Sequence, residues 1–577
     1  MTKTRLAATL SLALIVAPVS QAARYTVVEL PVTSEGQSSF PSAIGEDGNI
    51  TVNVSAAFNV PIDLDLLDFD SAALMNVLTD VESARNGNIN SADYEILLAL
   101  ISAADGTQSS QQIASTVSYL ASENSTSYIA GFDQRSEPNN EFTFNSTTIV
   151  RDINDSGFSV GSGEGFYSKL DYTFENGEDA TFVLHEFGTR AFVNFGNTVI
   201  GLPAPEVLAG GISEAYAINE SNQVIGYGST LLISETLETN LANCEDDELR
   251  GDVPLDSCVN NIISSFTSSA TSFTQLRGLI WQLDEQGNLL ETKQLGILFE
   301  PDADDSTNYS SQALAINDNG IAVGVANGQY TENDVTVVRN FAAIFNQDEI
   351  INITPEPDSN VARSSNVISS AADINNDNLV VGFQVKSVNG TNRRKFFVYD
   401  MLLGEINFPD DFFLGSSSIA LDINNNGLVV GYGEVDASLT GRRNEGFLYD
   451  TTTAEFFGVR ELISCDSPYT IVQANSINDN NQIAATALYQ GPARDSRGEI
   501  ILDSAGNAVQ VELVTAVKLE PIPGGEIDNC DAAVDTINRE RQGASVTWIL
   551  GFGLVILGWR RFKNNSESVA QFLGHNF

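Results

Sequence analysis

A ten-residue pattern recurs along the chain and limits its folding more than any other feature. The stretch Ala217-Ile218-Asn219-Glu220-Ser221-Asn222-Gln223-Val224-Ile225-Gly226 has counterparts starting at Asp152, Ala315, Asp373, Asp422 and Ser476, and a weaker copy runs from Ala43 to Val52. Self-similarity at a long period signals a repeat architecture. In each strong copy an apolar stretch ends on an asparagine: Asn154, Asn219, Asn317, Asn375, Asn424 and Asn478. Three residues on stand Gly157, Asn222, Gly320, Asn378, Gly427 and Asn481, with Gly48 in the weak copy. Glycine and asparagine enter positive φ most readily, and an asparagine opening a turn accepts a backbone hydrogen bond two residues on. Apolar strand, type I turn, left-handed residue and second strand such as Leu428-Val429-Val430 make a bulged β-hairpin. A glycine follows each asparagine by seven residues in five of the six strong copies, and Ala485 is the departure.

A third strand follows in most units, at Arg277–Trp281, Phe341–Phe345, Lys395–Tyr399 and Gly446–Tyr449, with alternating apolar positions that bury one face. Asn317, Asn375, Asn424 and Asn478 stand 58, 49 and 54 residues apart, a spacing that suits a four-stranded propeller blade with long loops. The expected fold is therefore all-β, a seven-bladed β-propeller over residues 23–520. A β-solenoid is the competitor, but its repeats are shorter. The strand Tyr25–Leu30 is placed to pair beside Val514–Leu519 and close the ring, which removes exposed edges.

Both ends read as addresses. Lys3 and Arg5 precede an apolar run from Leu6 to Val19, and Ser20-Gln21-Ala22 supplies the small residues of a cleavage site, so residues 1–22 read as a secretory signal peptide. After a linker at 521–543, residues 544–559 form a 16-residue apolar stretch followed by Arg560, Arg561 and Lys563. As a helix it would reach roughly 24 Å. The basic cluster keeps the tail 560–577 cytoplasmic and places the propeller outside, attached to the membrane through the C-terminal transmembrane helix.

The segment Gly543-Ala544-Ser545, the short apolar stretch and the basic cluster resemble the GlyGly-CTERM type of sorting signal. That resemblance implies a Gram-negative source and a rhomboid-type sorting protease as partner. Here the pair is Gly-Ala rather than Gly-Gly, and Asn564–Phe577 follows the cluster. The repeat itself resembles the HAF type of extracellular repeat, approximately A-I-N-x-x-G-x-V-V-G. The chain is similar over residues 24–560 to a family of exported proteins of unknown function that combines both features. The resemblance carries an architecture and no activity.

Two insertions interrupt the repeat. Residues 62–125 read as helical, with Asn90 capping a helix through Tyr94, Leu97 and Ile101 and Asp93 at its N3 position. Residues 231–273 read as a loop holding Cys244 and Cys258. An even cysteine count in an exported chain reads as disulfides, and Cys244–Cys258 with Cys465–Cys530 is the favoured pairing. Scattered cysteines do not make a zinc site, and His185 reads as structural. Asn86–Asp93 resembles the end of a calcium loop, but the first and third ligand positions fall on Glu82 and Ala84, and alanine offers no oxygen. The Asp- and Asn-rich turns invite a calcium reading too, yet hairpin geometry already accounts for them.

A net charge of -48 repels phosphate backbones, which argues against nucleic acid. No Walker loop, GxSxG elbow or HExxH motif is present. No catalytic, cofactor-binding or metal residue is named. The expected function is a non-enzymatic scaffold for an extracytoplasmic protein or glycan, inner-membrane anchored or delivered to the cell surface. The alternatives are a carbohydrate-active hydrolase or lyase and a calcium-stabilised surface adhesin.

Overall fold

Each repeat forms the first two strands of a four-stranded antiparallel sheet, and the described residues contain seven such sheets. The computed structural model describes residues 24–527 apart from 105–106, 137–139, 197, 303–304, 306 and 437–441. The chain divides into units Met1–Asp528 and Asn529–Phe577, and the sheets belong to the first. The signal peptide, the apolar stretch at 544–559, Gly543, Arg560, Arg561, Lys563 and Cys530 lie outside the described residues. Among the described residues no helix is long and apolar enough to cross a membrane.

The first strand of every sheet lies against the first strand of the next, and the seventh returns to the first, so seven blades surround one axis. Blade one starts at Gly36–Ile44, and blade seven is built from Thr470–Ile477, Ile483–Pro492, Gln510–Pro521 and the N-terminal strand Tyr25–Glu29. Val27 pairs with Leu519 and Glu29 with Val517. One sheet thus joins both ends of the propeller and leaves the ring without a free seam. Apolar clusters fill the spaces between blades: Trp281 packs with Phe158, Val193 and Leu279, and Phe396 with Phe447 and Tyr449.

The repeat glycine has a steric reason. In six of the seven blades one register shift inserts an extra residue into the innermost strand, between Ala371 and Asp373 in blade five for example; five of these carry the glycine opposite the shift, and blade one keeps the same shift with Val52 there. Such a bulge pushes a carbonyl toward the neighbouring strand. A Cβ on Gly382 would meet Ser370 O at 2.1 Å, and one on Gly226 would meet Glu214 O at 1.9 Å. Blade seven carries Ala485 instead, and its pairing shifts twice rather than once, between Ile471 and Gln473 and between Ala474 and Ser476.

Insertions between the second and third strands of three blades gather on one end. Blade one contributes helices Ala72–Met75, Val81–Arg85 and Ser91–Ala103, and its third strand, Thr116–Ala121, already lies inside the residues expected to be inserted. Asn90 caps the third helix through Asp93 N, at 2.9 Å. Burial would raise the Asp93 carboxyl, but hydrogen bonds from Thr79 and Asp80 hold it below its ordinary range. Blade two contributes a hairpin, Tyr167–Thr173 with Asp179–His185, that the repeat pattern does not announce. Blade three departs from expectation: 231–273 is helical, not a loop. Helices Glu235–Glu245 and Leu255–Ser268 pack through Leu237, Ile263 and Phe266, and Cys244–Cys258 bridges them at a Cα separation of 5.7 Å. Cys465 is disulfide-bonded as well.

Candidate binding site

The turn end is the more regular of the two. Gly48, Gly157, Asn222, Gly320, Asn378, Gly427 and Asn481 all have positive φ, from 56° to 82°. The repeat asparagine does more than shape its own turn. Its Oδ1 accepts from a backbone amide, as Asn375 does from Leu379 N at 3.0 Å. Its Nδ2 reaches the next blade: Asn154 donates to Asn219 O, Asn219 to Asn317 O, Asn317 to Asn375 O, Asn375 to Asn424 O, Asn424 to Asn478 O and Asn478 to Gly45 O, at 2.9–3.2 Å. Six side-chain amides therefore staple seven blades, and Gly45, with no side chain, leaves the remaining interface without this bond. Reading the turn alone could not reveal the second bond, because its acceptor lies 49 to 433 residues away.

The neighbouring turn residues add a second ring. Glu220 accepts from Asp155 N, Asp318 from Glu220 N, Asn376 from Asp318 N, Asn425 from Asn376 N, Asp479 from Asn425 N and Glu46 from Asp479 N. Burial and the nearby Asp479 and Asp155 charges raise the Glu46 carboxyl. Deeper along the axis, Asp152 accepts from Ile218 N, Asp373 from Ile423 N and Asp422 from Ile477 N, each bridging to the following blade. Asp152 is pushed up to about 7, first by burial and, against the pull of its amide bonds, by the charges of Asp422 and Glu220. Asp152, Asp373 and Asp422 are each half-buried. Burial, and then Asp422 in hydrogen-bond contact, raises Asp373 well above the carboxylate range.

These axial carboxylates do not form a glycosidase pair. Such a pair stands about 5–9.5 Å apart with its oxygens turned to a substrate, whereas Asp373 and Asp422 bond each other and the backbone. Among the described residues no group of three or more His, Cys, Asp or Glu side chains converges as a metal site. In the segment resembling a calcium loop, Asp80 caps a helix through Ser83 N and Glu82 faces Arg85 at 3.7 Å. His185 Nδ1 lies 2.8 Å from Gly165 O in the blade-two hairpin.

The opposite, loop end holds the candidate site. A cavity of about 550 Å³ opens between blades five and six. It is lined from blade five by Asn366, Arg393 and Arg394 and from blade six by Tyr432, Glu434 and Asn444, with Ile419 on an innermost strand. Antiparallel pairing puts these residues at the start of the third strands (Thr391–Asp400 and Asn444–Asp450) and the end of a second strand (Leu428–Glu434), remote from the Asn375 and Asn424 turns. Blade five turns tightly there, through Asn389 and Gly390 at φ 51° and 77°. Elsewhere on this end the insertions interlock: Gln108 Nε2 donates to Ser257 O, Tyr172 Oη to Asp252, Lys169 pairs with Asp63, and Arg497 of blade seven reaches Ile89 O.

The cavity's charge is unbalanced. The Glu434 carboxylate is taken by Arg442 and by Ser417 N. Arg393 and Arg394 have no ion pair and no side-chain hydrogen bond among the described residues, and Arg394 touches only the Phe383 ring, at 5.0 Å. Sequence reading missed them, although a signal exists: Arg393-Arg394 and Arg442-Arg443 each begin eighteen residues after a repeat asparagine, Asn375 and Asn424.

Comparison with curated proteins finds no match. Among solved structures the chain is similar to two of puromycin hydrolase, each at TM-score 0.34 and 10% identity, over 85% and 83% of this chain and 61% and 56% of those. A Mycobacterium tuberculosis puromycin-hydrolyzing peptidase follows at TM-score 0.24 and 8% identity, over 82% of this chain and 62% of that one. The chain thus spans less than two thirds of each, and likeness at these scores carries no argument about activity. A family model matches residues 3–562, nearly the whole chain, and by that match the protein belongs to the DUF3466 family, described as a protein of unknown function.

Proposed function

We propose that this protein is a non-enzymatic binding scaffold of the cell envelope that holds an extracytoplasmic ligand at the loop end of its propeller. The cavity between blades five and six, with two unpaired guanidinium groups, is the observation that carries this reading. The axial carboxylates support it from the other side, since each spends an oxygen on a bond to the next blade. A rigid toroid with binding groups on its loops suits recognition. Incubation of the full-length protein with a panel of envelope polysaccharides tests the proposal: saturable binding with chain lengths unchanged is expected, and shortened products would overturn it.

Export is part of the same reading and rests on Lys3, Arg5 and the apolar run that ends before Ala22. Attachment rests on residues 544–559 with Arg560, Arg561 and Lys563, and processing near Gly543 by a rhomboid-type sorting protease would release the propeller to the surface. Mass spectrometry of the native C-terminus decides between them: an intact Phe577 means a permanent anchor, and an end near Gly543 means release.

A further inference from the structure

We infer that the cavity between blades five and six binds the carboxylate of an acidic sugar in a polyuronate chain; this rests on the scaffold reading and names its ligand class. The reasoning starts from the charges. Nine of the 21 described cations (Arg85, Arg151, Lys169, Arg250, Lys293, Arg363, Lys395, Arg442 and Lys518) form ion pairs; Arg393 and Arg394 are among the other twelve, and they stand side by side on the lining of a cavity. The carboxylate in the cavity, on Glu434, already pairs with Arg442, so among the described lining residues none compensates the charges of Arg393 and Arg394. Guanidinium groups hold carboxylates in two-pronged hydrogen bonds, which makes an anion the complementary ligand.

The remaining lining selects the kind of anion. The side chains of Asn366, Asn444 and Tyr432 form no hydrogen bond among the described residues, so amide and phenol groups stand ready to donate and accept. Sugar hydroxyls satisfy such groups in both directions. Tyr432 pairs across the sheet with Ile419, which gives an apolar patch for the face of a sugar ring. A volume near 550 Å³ lies in the range of small-ligand sites. An acidic peptide would use the arginines equally, and the apolar patch at Tyr432 and Ile419 is what favours a sugar ring over it.

Calorimetric titration of the full-length protein with oligogalacturonate tests this, with a neutral oligosaccharide of equal length, inorganic phosphate and a poly-glutamate peptide as comparison ligands. Oligogalacturonate should bind saturably and more weakly as salt rises, and the Arg393→Gln/Arg394→Gln double variant should weaken binding by about ten-fold or more without changing the thermal midpoint. Equal binding of the neutral sugar, tighter binding of phosphate or poly-glutamate, no binding of oligogalacturonate, or an unaffected double variant would each overturn the inference. Recovery of the titrated oligosaccharide separates the two readings. Shortened chains, lost in the double variant, would uphold the acidic-sugar site while removing the non-enzymatic scaffold.

Discussion

At the turn end six of the seven blades repeat one device, an asparagine that shapes its own hairpin and ties it to the next, whereas at the loop end blades one, two and three carry three different insertions. The same strands run through both ends, so the contrast does not come from the sheets. It comes from what each end must satisfy. The turn end closes a ring, and each blade has to present the same acceptor at the same height to its neighbour. The loop end is free of that demand, and it is where Arg393 and Arg394 line a cavity between blades five and six. Regularity marks what holds the toroid together, and irregularity marks the end that is free to carry loops of other kinds.

The contrast is broken most severely at the repeat glycine. Gly382→Ala places a Cβ about 2 Å from Ser370 O, a collision with backbone that cannot move without shifting the bulge. A loss of about 4 kcal/mol or more, or failure to fold, is expected in chemical denaturation. Smaller, but still large, is Asn375→Ala, which removes the acceptor for Leu379 N in a half-buried setting and the donor to Asn424 O in a buried one. Leaving those groups unsatisfied should cost about 2–3 kcal/mol. Asn375→Asp sharpens the point: it keeps the acceptor and loses the donor, so it should be more stable at pH 4 than at pH 7 relative to wild type.

A third test uses the axis. The Asp152 carboxyl, raised by burial to about 7, keeps its proton in the folded state where the unfolded chain has already lost it. Its stabilising contribution is therefore full below the unfolded value near 4, falls as pH rises through that window and is lost above the folded value. The Asp152→Asn variant should show a stability profile between pH 4 and 7 whose fall is shallower than wild type by up to about 1.4 kcal/mol per pH unit. Parallel profiles would show that the carboxyl does not titrate there. The smallest effect is expected at the loop end, where Arg393→Gln/Arg394→Gln should change unfolding free energy by no more than about 0.5 kcal/mol. A larger loss would make those arginines part of the framework and erase the distinction between the ends.

The hairpin was legible because its causes are local. Positive φ after Asn424 needs Gly427, and an apolar stretch either side needs only neighbours in sequence. Closure by Tyr25–Glu29 was legible because an apolar strand stands ahead of the first copy, Val514–Leu519 follows the last, and pairing the two removes exposed edges. The helices at 235–245 and 255–268 were also local, but the cysteines drew attention from Val259, Ile263 and Phe266, whose helical spacing was there to be read. The cavity was not legible in the same way. Arg393 is one basic residue among 28 until the sheet sets blade five beside blade six and leaves it without a carboxylate.

The sequence by itself determined the repeat, the turn chemistry and the number of blades, because each depends on φ preferences and on apolar periodicity within a few residues. Only the tertiary structure decided what the asparagines bond to, which carbonyls the glycines make room for and which cations stand at a cavity. Those are properties of partners far apart in the chain. Asn478 and Gly45 O meet across 433 residues, and no reading of either one alone contains that contact.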